Sequence, residues 1–187
     1  MSKLLAMMMR EKTGVMPLSV VGSPTISNGV VSGFSSSNYL TVPAYSGTIN
    51  SLEFVVKIET TPTTITNNAL ILQLAGVPIN IYVKSNEQIT LYYKDTNATT
   101  RYLNSLSEVE IGYYKFVLNN TGAYIYFSAN GSSWSLLNSY GYIPQISITS
   151  GKIGYATSTY NVYDGSLDIG NSYIKINGTK YIFTIGA

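Results

Sequence analysis

The sequence predicts an all-β protein in which two antiparallel sheets stack face to face. Three observations carry that expectation. Turn signals recur about every 8–12 residues from Ser23 onward, with β-branched and aromatic runs between them. Beyond residue 12 no segment shows the apolar spacing of a helix of ordinary length. The runs amount to about a dozen strands, more than one open sheet holds without curling, so two layers on a Greek-key or jelly-roll path are the economical arrangement.

At the amino terminus Met1, Leu4, Leu5 and Met8 fall at helical spacing, and Gly14 and Pro17 would end the helix. A helix of about 12 residues is marginal alone in water, so its stripe needs a surface to cover. That surface is either its own domain or a neighbouring subunit, where Met7, Met8 and Met9 would adapt to an irregular groove. Val15 to Gly22 reads as an extended tether. The expected organisation is therefore an N-terminal anchoring arm at 1–22, a short amphipathic helix plus tether, followed by one sandwich at 23–187. The apolar run Leu4 to Met9 is too short for the core of a signal peptide, and no stretch approaches the roughly 20 apolar residues of a membrane span. Secretion by that route and membrane insertion are both disfavoured.

Along the body, Asn28-Gly29, Asn130-Gly131 and Asn177-Gly178 mark hairpins, because Asn and Gly tolerate the positive φ of type I′ turns. Further turns at 85–87, 95–97 and 119–122 separate strands expected at 79–84, 88–94, 99–104, 112–118, 123–128 and 133–137, a meander. Strands at 51–59 and 69–74 precede it, and others at 152–156, 165–169, 172–176 and 180–184 follow. Alternation places Leu52, Phe54, Val56 and Ile58 in the core, with Tyr114, Phe116 and Leu118 doing the same in a later strand.

Composition narrows the chemistry. With neither Cys nor His, the chain has no disulfide, no zinc, haem or iron–sulfur ligand set, and no imidazole acid or base. Charged residues are only 11% and the net charge is +2, so there is no dense basic field for nucleic acid. Tyr occurs 17 times, which turns attention to aromatic contacts.

The segment Thr25 to Phe34 with Tyr39 to Val42, then Leu52 to Ile58, resembles the first strands of concanavalin A-like (laminin G-like) jelly rolls. Tyr114 to Leu118, Ala123 to Ser128 and the turn Asn130 to Trp134 resemble that family's central hairpin with its packed Trp. The closing runs Tyr163 to Ile169 and Ser172 to Gly178 resemble the last strands of laminin G-like domains in bacteriophage structural proteins. The resemblance implies a non-enzymatic virion component, a capsid decoration or head fibre or a tail-associated protein, made in the host cytoplasm and joined to other virion proteins by its arm. It further implies a homo-oligomer, with a trimer favoured. The alternative is a carbohydrate-binding adhesin contacting host or mucosal glycans. A glycoside hydrolase comes third.

Candidate glycan contacts are turn-proximal tyrosines, Tyr39, Tyr140, Tyr142, Tyr160 and Tyr163, since sugars stack on aromatic faces while amides take the hydroxyls. Trp134 reads as a structural side chain. For a glycosidase the nearest carboxylate pair is Glu108 and Glu110, without the Glu-x-Asp-x-x-Glu signature of related glucanases, and a solvated turn explains them better. No cofactor is expected; calcium is the one metal the fold invites, with Asp164 and Asp168, or Asp95 and Asn97, as weak candidates. Anchoring falls to Met1, Leu4, Leu5 and Met8. The N-x-Ser/Thr triplets at Asn97, Asn119, Asn130 and Asn177 are explained by the abundance of Asn, Ser and Thr.

Overall fold

The computed structural model describes residues 11–63, 65, 67–155 and 160–186. Fifteen strands run in chain order: β1 (Thr13–Val21), β2 (Thr25–Ser27), β3 (Val30–Ser32), β4 (Tyr39–Val42), β5 (Leu52–Thr60), β6 (Ala69–Val77), β7 (Ile79–Val83), β8 (Gln88–Lys94), β9 (Thr100–Glu108), β10 (Gly112–Asn119), β11 (Gly122–Ser128), β12 (Ser135–Tyr140), β13 (Ser147–Ile153), β14 (Ser166–Ile176) and β15 (Thr179–Ile185). No helix occurs among the described residues.

The strands form two sheets. The first has the order β12-β11-β10-β5-β14-β15-β1, with the small β2–β3 hairpin laid against β14; the second has the order β1-β4-β13-β6-β7-β8-β9. The expected meander is real but divided: β7, β8 and β9 lie side by side in the second sheet, and the chain then crosses to place β10, β11 and β12 in the first.

Strand β1 belongs to both sheets. Thr13 to Leu18 runs parallel to β15, and Ser19 to Val21 then pairs antiparallel with β4. Met16 and Leu18 are buried in the core. This corrects the expected tether: 13–21 is extended, but it is a sandwich strand, because its alternating pattern buries Met16 and Leu18 while Val15 and Pro17 face out. The expected helix, with Met1, Leu4, Leu5 and Met8, lies outside the described residues apart from Glu11 and Lys12, which adopt no regular structure.

Burial follows parity. Leu52, Phe54, Val56 and Ile58 of β5 and Tyr114, Phe116 and Leu118 of β10 all enter one continuous core with Leu72, Leu74, Ile81, Leu91 and Leu103 of the second sheet. The turns at Asn28-Gly29 (φ 50° and 82°) and Asn177-Gly178 (φ 50° and 81°) have both central residues at positive φ, the type I′ geometry their sequences demand. Asn130-Gly131 departs from that expectation: it sits in the loop 129–134, in which Gly131 alone has positive φ. The strand expected at 152–156 lies earlier, at Ser147–Ile153, and the two short strands expected at 165–169 and 172–176 are one, β14, interrupted by a change of register between Asp168 and Tyr173.

Candidate functional site

That irregularity in β14 borders a groove of about 260 Å³ on the outer face of the first sheet. Its floor is Val55 and Ile182 and its aromatic walls are Tyr113, Trp134 and Tyr173. Val55 sits at an outward parity yet is 1% exposed, because these walls rise around it. The register explains the grouping, since Tyr173 pairs with Val55 and with Ile182 across adjacent strands.

Two polar hubs hold the walls. Asp168 Oδ1 accepts the backbone N–H of Asn171 at 3.0 Å, and its Oδ2 accepts from Asn171 Nδ2 at 2.7 Å and from Lys57 Nζ at 3.0 Å. Ser172 Oγ donates to the Asp168 carbonyl and accepts the Lys57 N–H. The tip of the β2–β3 hairpin pins the same segment, with the Gly29 carbonyl accepting from the N–H groups of Ile169 and Gly170. On the other wall Asn130 Oδ1 accepts from the N–H groups of Ser132 and Ser133 and from the hydroxyls of Ser128 and Ser132. That leaves its amide nitrogen for a ligand. Gly131 lies against the Tyr113 ring at φ 76°, where a Cβ would come within 3.2 Å of the ring.

Burial raises the affinity of Asp168 for a proton, but the Asn171 and Lys57 hydrogen bonds outweigh it and hold the carboxyl below its ordinary range. Lys57 also pairs with Glu59, and the two carboxylates hold its ammonium protonated. Burial pushes the Tyr173 phenol up, reinforced by the Glu53 carboxylate that accepts its proton at 3.0 Å. Lys180 extends over the Tyr173 ring at 4.1 Å, and Lys115 over Trp134 at 4.3 Å. No carboxylate lines the groove. Its donors, acceptors, aromatic walls and one ammonium suit a hydroxyl-rich ring.

None of the five tyrosines expected from the sequence lines this groove. Tyr163 is fully buried and its hydroxyl donates to the Thr60 carbonyl at 2.9 Å, so it is a core residue and its ring face is closed to ligands. Tyr140 and Tyr142 do come together, edge to face at 5.9 Å, at the end of β12, with Arg101 stacked on Tyr142 at 3.6 Å. Tyr39 meets Tyr155 on the second sheet, and Tyr160 packs on Tyr82. The wall residues Tyr113 and Tyr173 sit within strands rather than turns; their outward parity was the signal in the sequence that could have found them. Trp134, expected as a structural side chain, is only half-buried and forms a wall.

The calcium candidates are separated and engaged. Asp164 accepts from the N–H and hydroxyl of Thr63, whereas Asp168 serves Lys57 and Asn171. Asp95 accepts the N–H groups of Asn97 and Thr99 and an ion pair from Arg101 at 2.7 Å. Among the described residues no group of three or more acidic side chains gathers as a metal site. Glu108 and Glu110 are exposed on either side of buried Val109, where β9 ends.

No protein-family model and no curated protein matches the chain. Solved structures do. Domains LG4-5 of the mouse laminin alpha1 chain align with a TM-score of 0.55 at 12% identity over 85% of this chain and 44% of that one. The fold is a concanavalin A-like jelly roll. The receptor-binding domain of botulinum neurotoxin mosaic serotype C/D aligns with a TM-score of 0.54 at 18% identity, over 80% of this chain and 40% of that one. The enzymatically active domain of bacteriophage CBA120 tailspike protein 2 aligns with a TM-score of 0.53 at 11% identity, over 90% of this chain and 29% of that one. The chain thus spans less than half the length of each, and at these identities the likeness concerns the fold alone.

Proposed function

We propose that the protein is a non-enzymatic carbohydrate-binding module whose site is the groove between Tyr113, Trp134 and Tyr173. One observation carries this reading: three aromatic rings converge on an apolar floor with Asn130, Asn171 and Lys180 at the rim. Apolar sugar faces stack on such rings while amides and ammonium groups take the hydroxyls. Trp134 is the chain's single tryptophan, so its fluorescence reports the groove directly. Titration with members of a glycan panel is expected to give saturable quenching, weakened about tenfold or more by Tyr173→Ala. Absence of saturable binding to every member at millimolar sugar overturns the reading.

The likeness to a bacteriophage tailspike favours a place for this module on a virion, as a capsid decoration, head fibre or tail-associated protein. Because 13–21 forms part of the sandwich, the anchoring role narrows to the segment carrying Met1, Leu4, Leu5 and Met8. A homotrimer suits attachment to a repeating lattice. Removal of residues 1–10 is expected to abolish incorporation into particles while glycan binding persists; undiminished incorporation overturns the anchor.

A further inference from the structure

We propose a second carbohydrate site, for a neutral linear polysaccharide, on the outer face of the second sheet. Register places Thr41, Lys152, Gln73, Asn80, Tyr92 and Tyr102 opposite one another on the successive strands β4, β13, β6, β7, β8 and β9. Cross-strand partners point to the same side of a sheet, so these six side chains form one row. At about 4.8 Å per strand the row is about 24 Å long, and each step approximates one pyranose ring. It contains no aliphatic side chain and no carboxylate. Its single cation, Lys152, is drawn over Tyr155 at 3.6 Å and Tyr39 at 4.9 Å. At the opposite end Tyr92 and Tyr102 meet edge to face at 5.4 Å, and Tyr102 is 51% exposed.

An independent observation points to a missing ligand. Asn80, in the middle of the row, is 5% exposed; its Nδ2 lies 3.3 Å from the Tyr160 hydroxyl and its Oδ1 has no hydrogen-bond partner. A sugar hydroxyl that reaches this oxygen donates to it and leaves its own oxygen to accept elsewhere. Nearly uncharged, hydrogen-bonding and aromatic at one end, the row matches an uncharged polyol chain better than an acidic polymer.

The test is a 15N NMR titration of the full chain with cello-, xylo- and malto-oligosaccharides of increasing length. Shifts are expected at Gln73, Asn80, Tyr92 and Tyr102, with affinity rising to about five rings, the length of the row. Tyr102→Ala should weaken binding about tenfold. Asn80→Leu should weaken it too while the melting temperature holds or rises, since it removes an unsatisfied buried amide. Trp134→Ala, which disables the groove of the first sheet, should leave this binding intact, so the two sites fail separately. The proposal is overturned if no oligosaccharide shifts the row, if both row variants bind as the parent does, or if Tyr102→Ala turns an oligomer into a monomer in sedimentation, which would make the face a self-interface.

Discussion

Lys57 and Asp168 meet at 3.0 Å across the β5–β14 pair although 111 residues separate them in the chain. The contact ties the floor of the groove to its irregular wall. Asp168→Asn is expected to cost about 2 kcal/mol in denaturant unfolding, the range for a hydrogen bond to a charged partner. Its folded pKa is depressed, so its contribution is present above the unfolded value of about 3.9 and is lost as pH falls through the lower folded value. The acid limb of the parent's stability curve should therefore be steeper than that of the variant.

Strand β1 joins the two sheets, and Leu18 within it is 1% exposed. Leu18→Ala should cost about 3 kcal/mol through the cavity it leaves. Deleting residues 1–22 should abolish cooperative thermal unfolding, whereas deleting 1–10 should preserve it. Circular dichroism melts of both truncations check this.

Burial pushes the phenols of Tyr93 and Tyr114 up to about 12, and Tyr163 higher still. Folding favours their neutral form, so the associated stability is complete below the unfolded value of about 10 and declines as pH rises towards 12. Absorbance of phenolate should accordingly appear in two phases, exposed tyrosines first and the buried ones together with loss of the fold. Tyr163→Phe removes a donor to the Thr60 carbonyl and should lower stability by about 1 kcal/mol.

Gly131→Ala should cost about 1–2 kcal/mol from the left-handed backbone alone. Because the new Cβ meets the Tyr113 ring, it should also shift Trp134 fluorescence and weaken groove binding more than it lowers the melting temperature. Equal losses in a remote site and in the groove would contradict the local placement.

Parity and turn chemistry are local, and they were legible. The apolar alternation of 52–58 and the Asn-Gly pairs at 28 and 177 read correctly because each depends on a few adjacent residues. The groove was not legible. Tyr113, Trp134 and Tyr173 come from separate strands and a loop, and what unites them is a register shift in β14 fixed by Asp168, Lys57 and the distant Gly29 carbonyl.

Periodicity and composition act without reference to partners, and they suffice for an all-β sandwich with a core of alternating apolar side chains and no imidazole or thiol chemistry. Three dimensions were needed to show that 13–21 is a strand shared by both sheets, that Tyr163 is core, and that Tyr113, Trp134 and Tyr173 border one groove. Strand pairing is non-local: which outward side chains become neighbours depends on register between segments a hundred residues apart, and no window of sequence contains that information.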